Sequence, residues 1–349
     1  MTGWGRRNEW KIFLRKIFGL RPAMKVFISL SLLVLALFAA SLLTGPAGLG
    51  LGESLAALVT GKGEALVLVM REIRLPRAIL GALVGAALGL SGAAMQGYLR
   101  NPLAEPGIIG ISSSSSLGAV LALQTGMAAA FPLALPLSAL SGAAVAVLLI
   151  LTLAGPRGGA LALILAGIAI SALAGAATSL VLNLSPNPFA AMEIVFWMMG
   201  SLADRSMQHV WLAAPFMLAG MAVLLRLGRG LDALTLGADA AATMGVNLIR
   251  LRWGVILGTA LAVGASVAVA GAVGFVGLVV PHLLRPLVGA RPSRLLPAAM
   301  LGGAAMVLAA DVAVRLIAPD QDLKLGVLTA LIGAPFFLHL IWRLRGDEA

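Results

Sequence analysis

The sequence offers few groups for bond-making chemistry. It holds three histidines, His209, His282 and His339, and no cysteine. Thiol catalysis, disulfides and Cys-ligated zinc are thereby excluded. Gly89-Leu90-Ser91-Gly92 matches a GxSG serine-nucleophile motif, for which one of the histidines would have to supply the base. A carboxylate or histidine in the middle of a span, the usual holder of a coupling ion, is missing from the apolar runs. Asp311 comes nearest, four residues before Arg315, at the spacing of a local helical ion pair. The phosphate-cradling GxxxxGK is absent, and the nearest Gly-Lys, Gly61-Lys62, lacks the upstream glycine. What remains is guanidinium. Residues 71–77 read REIRLPR, and the stretch 78–97 that follows is almost wholly apolar. Arginines crowding the mouth of a membrane span can lie along lipid headgroups or face a ligand, and the run by itself leaves both open.

The elements that position these residues are set by composition. The 349 residues are 60% hydrophobic and 11% charged, against roughly 25% charged in an ordinary soluble domain. With a mean hydropathy of +1.02, most of the surface must face something other than water. The class is an all-α polytopic membrane protein. A span takes about 20 apolar residues, so ten spans leave room for loops and for no sizeable soluble domain. The net charge of +11 is read through topology, since Lys and Arg gather on cytoplasmic loops; it does not call for nucleic acid. The apolar run 26–43 is too long for a secretory h-region and is preceded by seven cations. Segment 1–23 is therefore expected to be a basic cytoplasmic lead, either an amphipathic helix on the anionic inner surface or an unstructured leader. Residues 24–349 form one transmembrane domain.

Ten helices are expected, at about 24–44, 77–97, 108–130, 133–154, 159–183, 209–227, 253–273, 275–289, 295–317 and 325–344. The run 194–199 is too short to cross, and 275–289 is short enough to be bent or incomplete. With both termini inside, Lys62, Arg71, Arg74, Arg77, Arg205, Arg315 and Lys324 fall outside, and the other 18 of the 25 Lys and Arg fall inside. REIRLPR then stands on the side where cations are scarce. In the second span Gly81, Gly85 and Gly89 recur four apart, as do Gly167, Ser171 and Gly175 in the fifth. Small residues at this spacing let helix backbones approach in lipid. Ser91 borders that packing face, which argues against an intramembrane protease; the missing ion relay argues against an ion-coupled secondary carrier. Those are the two alternative readings. The inner loop 228–250 is the longest between spans. It contains a short helix-prone run, Leu236-Gly237-Ala238-Asp239-Ala240-Ala241-Ala242-Thr243-Met244-Gly245-Val246, which by itself suits insertion into a groove on a partner and lying on the lipid surface equally.

Taken together, the stretches RLPRAILGALVGAALGLSGAAMQGYLRNPLAEPGIIGIS (74–112), LGADAAATMGV (236–246), GAVGFVGLVVPHLLRPLVG (271–289), LLPAAMLGGAAMVLAADVAVRLIA (295–318) and LGVLTALIGAPFFLHLIWR (325–343) resemble the permease subunits of binding-protein-dependent, ATP-driven importers for iron–siderophores, haem and vitamin B12. The resemblance covers most of the chain and implies the family's ten-span type II importer fold. It gives Arg74, Arg77 and Arg315 the role of receiving acidic side chains from a periplasmic or lipid-anchored substrate-binding protein. Asn101, Pro102 and Leu103 become the inner gate loop between spans two and three. Arg157, Gly158 and Gly159 become the second gate loop, which departs from the hydroxyl-bearing version associated with vitamin B12 permeases. The run 236–246 becomes the coupling helix that docks on the ATPase. It further implies a pair of permeases, two ATP-binding subunits carrying ATP and Mg, no cofactor on this chain, a bacterial inner-membrane location, and a ferric siderophore as the commonest cargo, before haem and vitamin B12.

Overall fold

The computed structural model describes residues 22–45, 52, 56–57, 64–131, 133–155, 158–185, 187–318 and 323–346. All ten apolar runs are helical. They are α1 (Pro22–Leu43), α2 (Leu75–Leu99), α3 (Ile111–Gln124), α4 (Ala134–Ala154), α5 (Ala160–Asn183), α6 (Met207–Arg226), α7 (Leu248–Ala270), α8 (Val276–Val288), α9 (Pro292–Ile317) and α10 (Leu325–Gly346). Among the described residues seven of them, α1, α2, α4, α5, α6, α7 and α9, are long and apolar enough to cross a bilayer. No strand occurs among the described residues. In hydrocarbon every backbone polar group must be satisfied within the protein, which a helix does internally. The short run around 194 is an eleven-residue helix, Pro188–Met198, as its length requires. Of the basic segment 1–23, residues 1–21 lie outside the described residues.

Side-chain size decides the layering. Helix α1 is ringed by large aliphatics, with Leu32, Leu33 and Leu35 exposed, and sits at the edge against α9. Helix α2 is rich in Gly and Ala and is buried along most of its length. Its most extensive partner is α9, which runs antiparallel to it. A methyl group on Gly85 would overlap the Gly303 carbonyl, and one on Gly89 the Ala299 carbonyl. Gly81 faces Leu308 across the same seam, and Gly92 continues it against Gly277 of α8. The expected glycine stripe is therefore a backbone-to-backbone contact, the closest helix approach available in lipid. In α5 only half of the analogous expectation holds. Gly167 packs on the Ile108–Ile109 backbone, whereas Gly175 has open space around it.

Two elements differ from the expected spans. The second helix does not start at 77. An α-helical turn (Glu64–Leu68) and a π-helical turn (Val69–Arg74) lead into α2 without a break, so REIRLPR lies within a helix. Pro76 follows directly. A proline in a helix removes a hydrogen bond and crowds the preceding turn, and the wider π turn accommodates it. The third span, expected over 108–130, is interrupted. Gly110 (φ 78°) and Gly126 (φ 73°) adopt the left-handed region, leaving a 3-10 turn (Pro106–Ile109), the 14-residue α3 and a short turn, Met127–Ala130. At 1.5 Å per residue α3 covers about 21 Å of a hydrocarbon layer about 30 Å thick. Helix α8, 13 residues long, is short in the same way. The non-helical stretch before α3 meets the one before α8: the Phe275 amide donates to the Glu105 carboxylate at 2.8 Å.

Candidate docking and coupling sites at the two ends of the bundle

At one end of the α2–α9 pair the three expected arginines gather around a single carboxylate and a single helix end. Asp311, on α9, is buried, its side chain 2% exposed. Its two oxygens divide between Arg77 (Nε, 2.8 Å) and Arg315 (Nη2, 2.6 Å). The Arg315 pair is the i,i+4 contact visible in the sequence; the Arg77 pair joins α2 to α9. Arg315 also donates through Nη1 to the carbonyls of Ser41 (2.9 Å) and Thr44 (2.7 Å), and through Nη2 to Ser41 Oγ (2.8 Å). Arg74 is turned inward. Its Nη1 donates to the carbonyls of Leu42 (3.0 Å) and Leu43 (3.1 Å), while its Nη2 is buried with no partner. The last carbonyls of a helix have no partner inside it and favour cations. Two guanidiniums here supply that cap to α1. Arg77 is the most accessible of the three, its side chain 18% exposed.

The opposite end carries the expected gate and coupling residues. Asn101 accepts the Leu103 amide at 2.9 Å, a local turn that Asn favours. Arg100, in the left-handed region, closes α2 ahead of it. Pro102 follows Asn101 in the same turn. Arg157 lies outside the described residues. Gly159 is exposed with open space about it. Gly158 is engaged: its carbonyl accepts a short hydrogen bond from Arg252. A cavity of about 250 Å³ lies between these parts. Its walls are Tyr98–Arg100 of α2, Gly158–Ala160, Leu234 and Ala238 of the loop, and Leu248, Ile249 and Arg252 of α7. It brings the second gate loop beside the coupling run, while Asn101, Pro102 and Leu103 lie outside its walls.

The coupling run forms the helix Ala238–Thr243, entered at Gly237 (φ 110°) and left at Gly245 (φ 83°). Only Ala241 is buried. Asp239, Ala242 and Thr243 are exposed, as are the apolar side chains of Leu236 and Met244; Ala240 and Val246 are half-buried. The short helix is thus flanked by two exposed apolar side chains, Leu236 and Met244. It is fastened to the bundle by the preceding helix Gly228–Leu234, whose Asp232 accepts from the Ser293 amide (2.8 Å) and hydroxyl (2.6 Å) and so caps α9.

Three of these groups, Asp232, Glu105 as a buried acceptor, and Arg252, were not singled out by the sequence. Their partners are distant in the chain, and each residue type has ordinary uses in loops. Ser91 is fully buried, and the contacts described for the histidines run to Ser206, Phe336 and Trp342.

Comparison with known proteins agrees with the resemblance. Residues 32–343 match the FecCD transport family. The hemin transport system permease protein HmuU of Yersinia pestis is 38% identical over 302 residues, 83% of this chain and 88% of that protein. The vitamin B12 import system permease protein BtuC of Klebsiella pneumoniae subsp. pneumoniae is 38% identical over 327 residues, 93% of this chain and 96% of that one. A solved structure of an ABC transporter of the metal-chelate type, in an inward-facing conformation, superposes with a TM-score of 0.81 at 35% identity. It covers 91% of this chain and 99% of its own. With the ten-helix bundle and its small-residue centre, these matches establish that the chain belongs to the FecCD transport family, as a multi-span permease subunit of an ABC importer.

Proposed function

We propose that two copies of this chain form the translocation path of an importer for a bulky metal chelate, a ferric siderophore first and haem or vitamin B12 next. An extracytoplasmic binding protein delivers the cargo onto the end bearing Arg77, Arg315 and Arg74. Two ATP-binding subunits, which carry ATP and Mg, engage residues 236–246 at the cytoplasmic end. The observation that carries this reading is the segregation of the two surfaces. A guanidinium cluster and an apolar helical stub occupy opposite ends of one tightly packed pair, α2 and α9. Guanidinium is suited to carboxylates because its fork matches their geometry, and the stub suits a groove on an ATPase. Helix α5 supports the second copy, since Leu161, Leu165, Ile168, Leu173 and Leu180 are exposed along it and Gly175 is open. Transport then follows from alternating access: closure of the ATPases moves the coupling helices, and the gate loops at 101–103 and 157–159 exchange states with the outer mouth. The chain supplies geometry, and the free energy comes from nucleotide on the partner.

Reconstituted vesicles test the reading. Uptake of iron-labelled ferric siderophore is expected to require ATP, the ATP-binding subunit and the binding protein together. Uptake driven by a proton gradient without ATP would reject it. Growth rescue on a siderophore, haem or vitamin B12 as the only source discriminates among cargoes.

A further inference from the structure

Arg252 is the most deeply buried cation at the coupling end, 3% exposed, and the proposed mechanism gives it no task. It stands in the first turns of α7, which begins at Leu248. Only Met244, Gly245, Val246 and Asn247 and one helical turn separate it from the coupling helix Ala238–Thr243. Its guanidinium reaches across to the end of α4. Nη1 donates to the Gly158 carbonyl, and Nη2 donates to the Ala154 carbonyl at 3.3 Å. Ala154 closes α4 and Gly158 belongs to the second gate loop. One side chain therefore holds the carbonyls of both Ala154 and Gly158. Its Nε is buried with no partner among the described residues. The cavity beside it separates the gate loop from Leu234, Ala238 and Ile249, so the contact is a bridge with free space next to it. Helices α7 and α4 also pack on each other along their length, and at this end the two hydrogen bonds are the polar link between them.

We propose that Arg252 is a positioning residue that ties the ATPase-facing helix to the second gate loop. When an ATPase shifts the segment 238–247, α7 begins to move at its first turn, and the guanidinium carries Ala154 and Gly158 with it. The planar fork suits this task, because its two terminal nitrogens are held apart in one plane and each reaches its own carbonyl, whereas the three donors of an ammonium all leave a single nitrogen on a flexible stem. Hydrogen bonds from an ionised donor are roughly twice as strong as neutral ones. A purely capping role at the end of α4 would need only a nearby positive charge, and this separates the two accounts experimentally.

The inference rests on the ABC-importer reading. Its test uses the full chain copurified with its ATP-binding subunit in lipid vesicles. The absence of cysteine provides a clean background, and Gly159, with open space where a side chain would go, takes a single cysteine. Labelling of Gly159→Cys by a membrane-impermeant maleimide from the cytoplasmic side is followed with ADP and with ATP plus vanadate. With Arg252 present, the two nucleotide states should label at different rates. In Arg252→Ala the ATPase should still copurify and hydrolyse ATP, but the difference between states should be lost. Arg252→Lys, which keeps the charge for the helix end but not the fork, should lose most of it, and it serves where the alanine variant does not assemble. A nucleotide-dependent difference that survives in Arg252→Lys and Arg252→Ala overturns the inference. No difference even with Arg252 in place would reject 158–159 as a gate, and failure of any ATPase to copurify would reject the importer reading itself.

Discussion

Replacing Asp311 by asparagine separates the structural job of the arginine cluster from the docking job proposed for it. The carboxylate sits almost fully buried between Arg77 and Arg315, one oxygen to each. Removing one partner of a buried ion pair costs about 3–5 kcal/mol, because the opposite charge is left uncompensated. Here the loss falls at the lower end, about 3 kcal/mol. Arg315 keeps its bonds to Ser41 and Thr44, Arg77 has an exposed edge, and asparagine still accepts one hydrogen bond. By the scaling of soluble proteins this corresponds to a fall of roughly 4 °C in unfolding temperature, measurable by size exclusion of heated detergent extracts. Docking should move the other way. Arg77 is released from an internal competitor, so a binding protein that presents carboxylates should bind Asp311→Asn at least as tightly as the parent, read by surface plasmon resonance on the reconstituted permease. Arg77→Ala should instead weaken docking by at least about tenfold, since close interfacial charge pairs couple by about 1.5–7 kcal/mol and about 1.4 kcal/mol is a factor of ten. If Asp311→Asn weakens docking as much as Arg77→Ala does, the carboxylate aims the arginines at the partner and does not compete with it. If stability does not change, the ion pairs are not what holds α2 to α9 at this end.

Other outcomes follow from the same geometry. Gly85→Val should prevent accumulation of monodisperse protein, because the overlap is with the Gly303 backbone and exceeds ordinary overpacking of about 1–3 kcal/mol. Gly175→Val meets nothing within the chain and should leave protomer stability within about 0.5 kcal/mol; if it lowers transport, chemical cross-linking should show a weakened pair of permeases. Asp232→Ala removes the cap from α9 and should cost about 1–2 kcal/mol, with faster proteolysis in the loop 228–250 as the readout. Glu105→Ala leaves the half-buried Phe275 amide without its acceptor, which costs about 1 kcal/mol, the low end for an unpaired donor. Since Phe275 already sits at φ 67°, hydrogen exchange should rise first at 271–276.

Much of this protein was legible one helix at a time. Apolar runs located all ten helices, because a segment's partition between water and lipid depends on its own residues. The four-residue glycine spacing foretold the α2–α9 seam, and the spacing of Asp311 and Arg315 foretold their pair, because both are periodicities of a single helix. The same local reading carried α3 too far: glycines at 110 and 126 do not announce a left-handed backbone, and small polar residues such as Ser112–Ser116 fit a full span as well as a half span. It also began the second helix too late, since Pro76 reads as a boundary unless a wider turn precedes it.

What the sequence by itself determined is the medium each segment prefers and the residues that line its faces. Only the tertiary structure decided which polar groups meet. Arg77 lies 234 positions from Asp311, Arg252 lies 94 from Gly158, and Phe275 lies 170 from Glu105. No periodicity links such pairs. Each exists because close packing of helices brings a charge or an amide to a place without water, where it must find whatever partner the neighbouring backbone or side chain supplies.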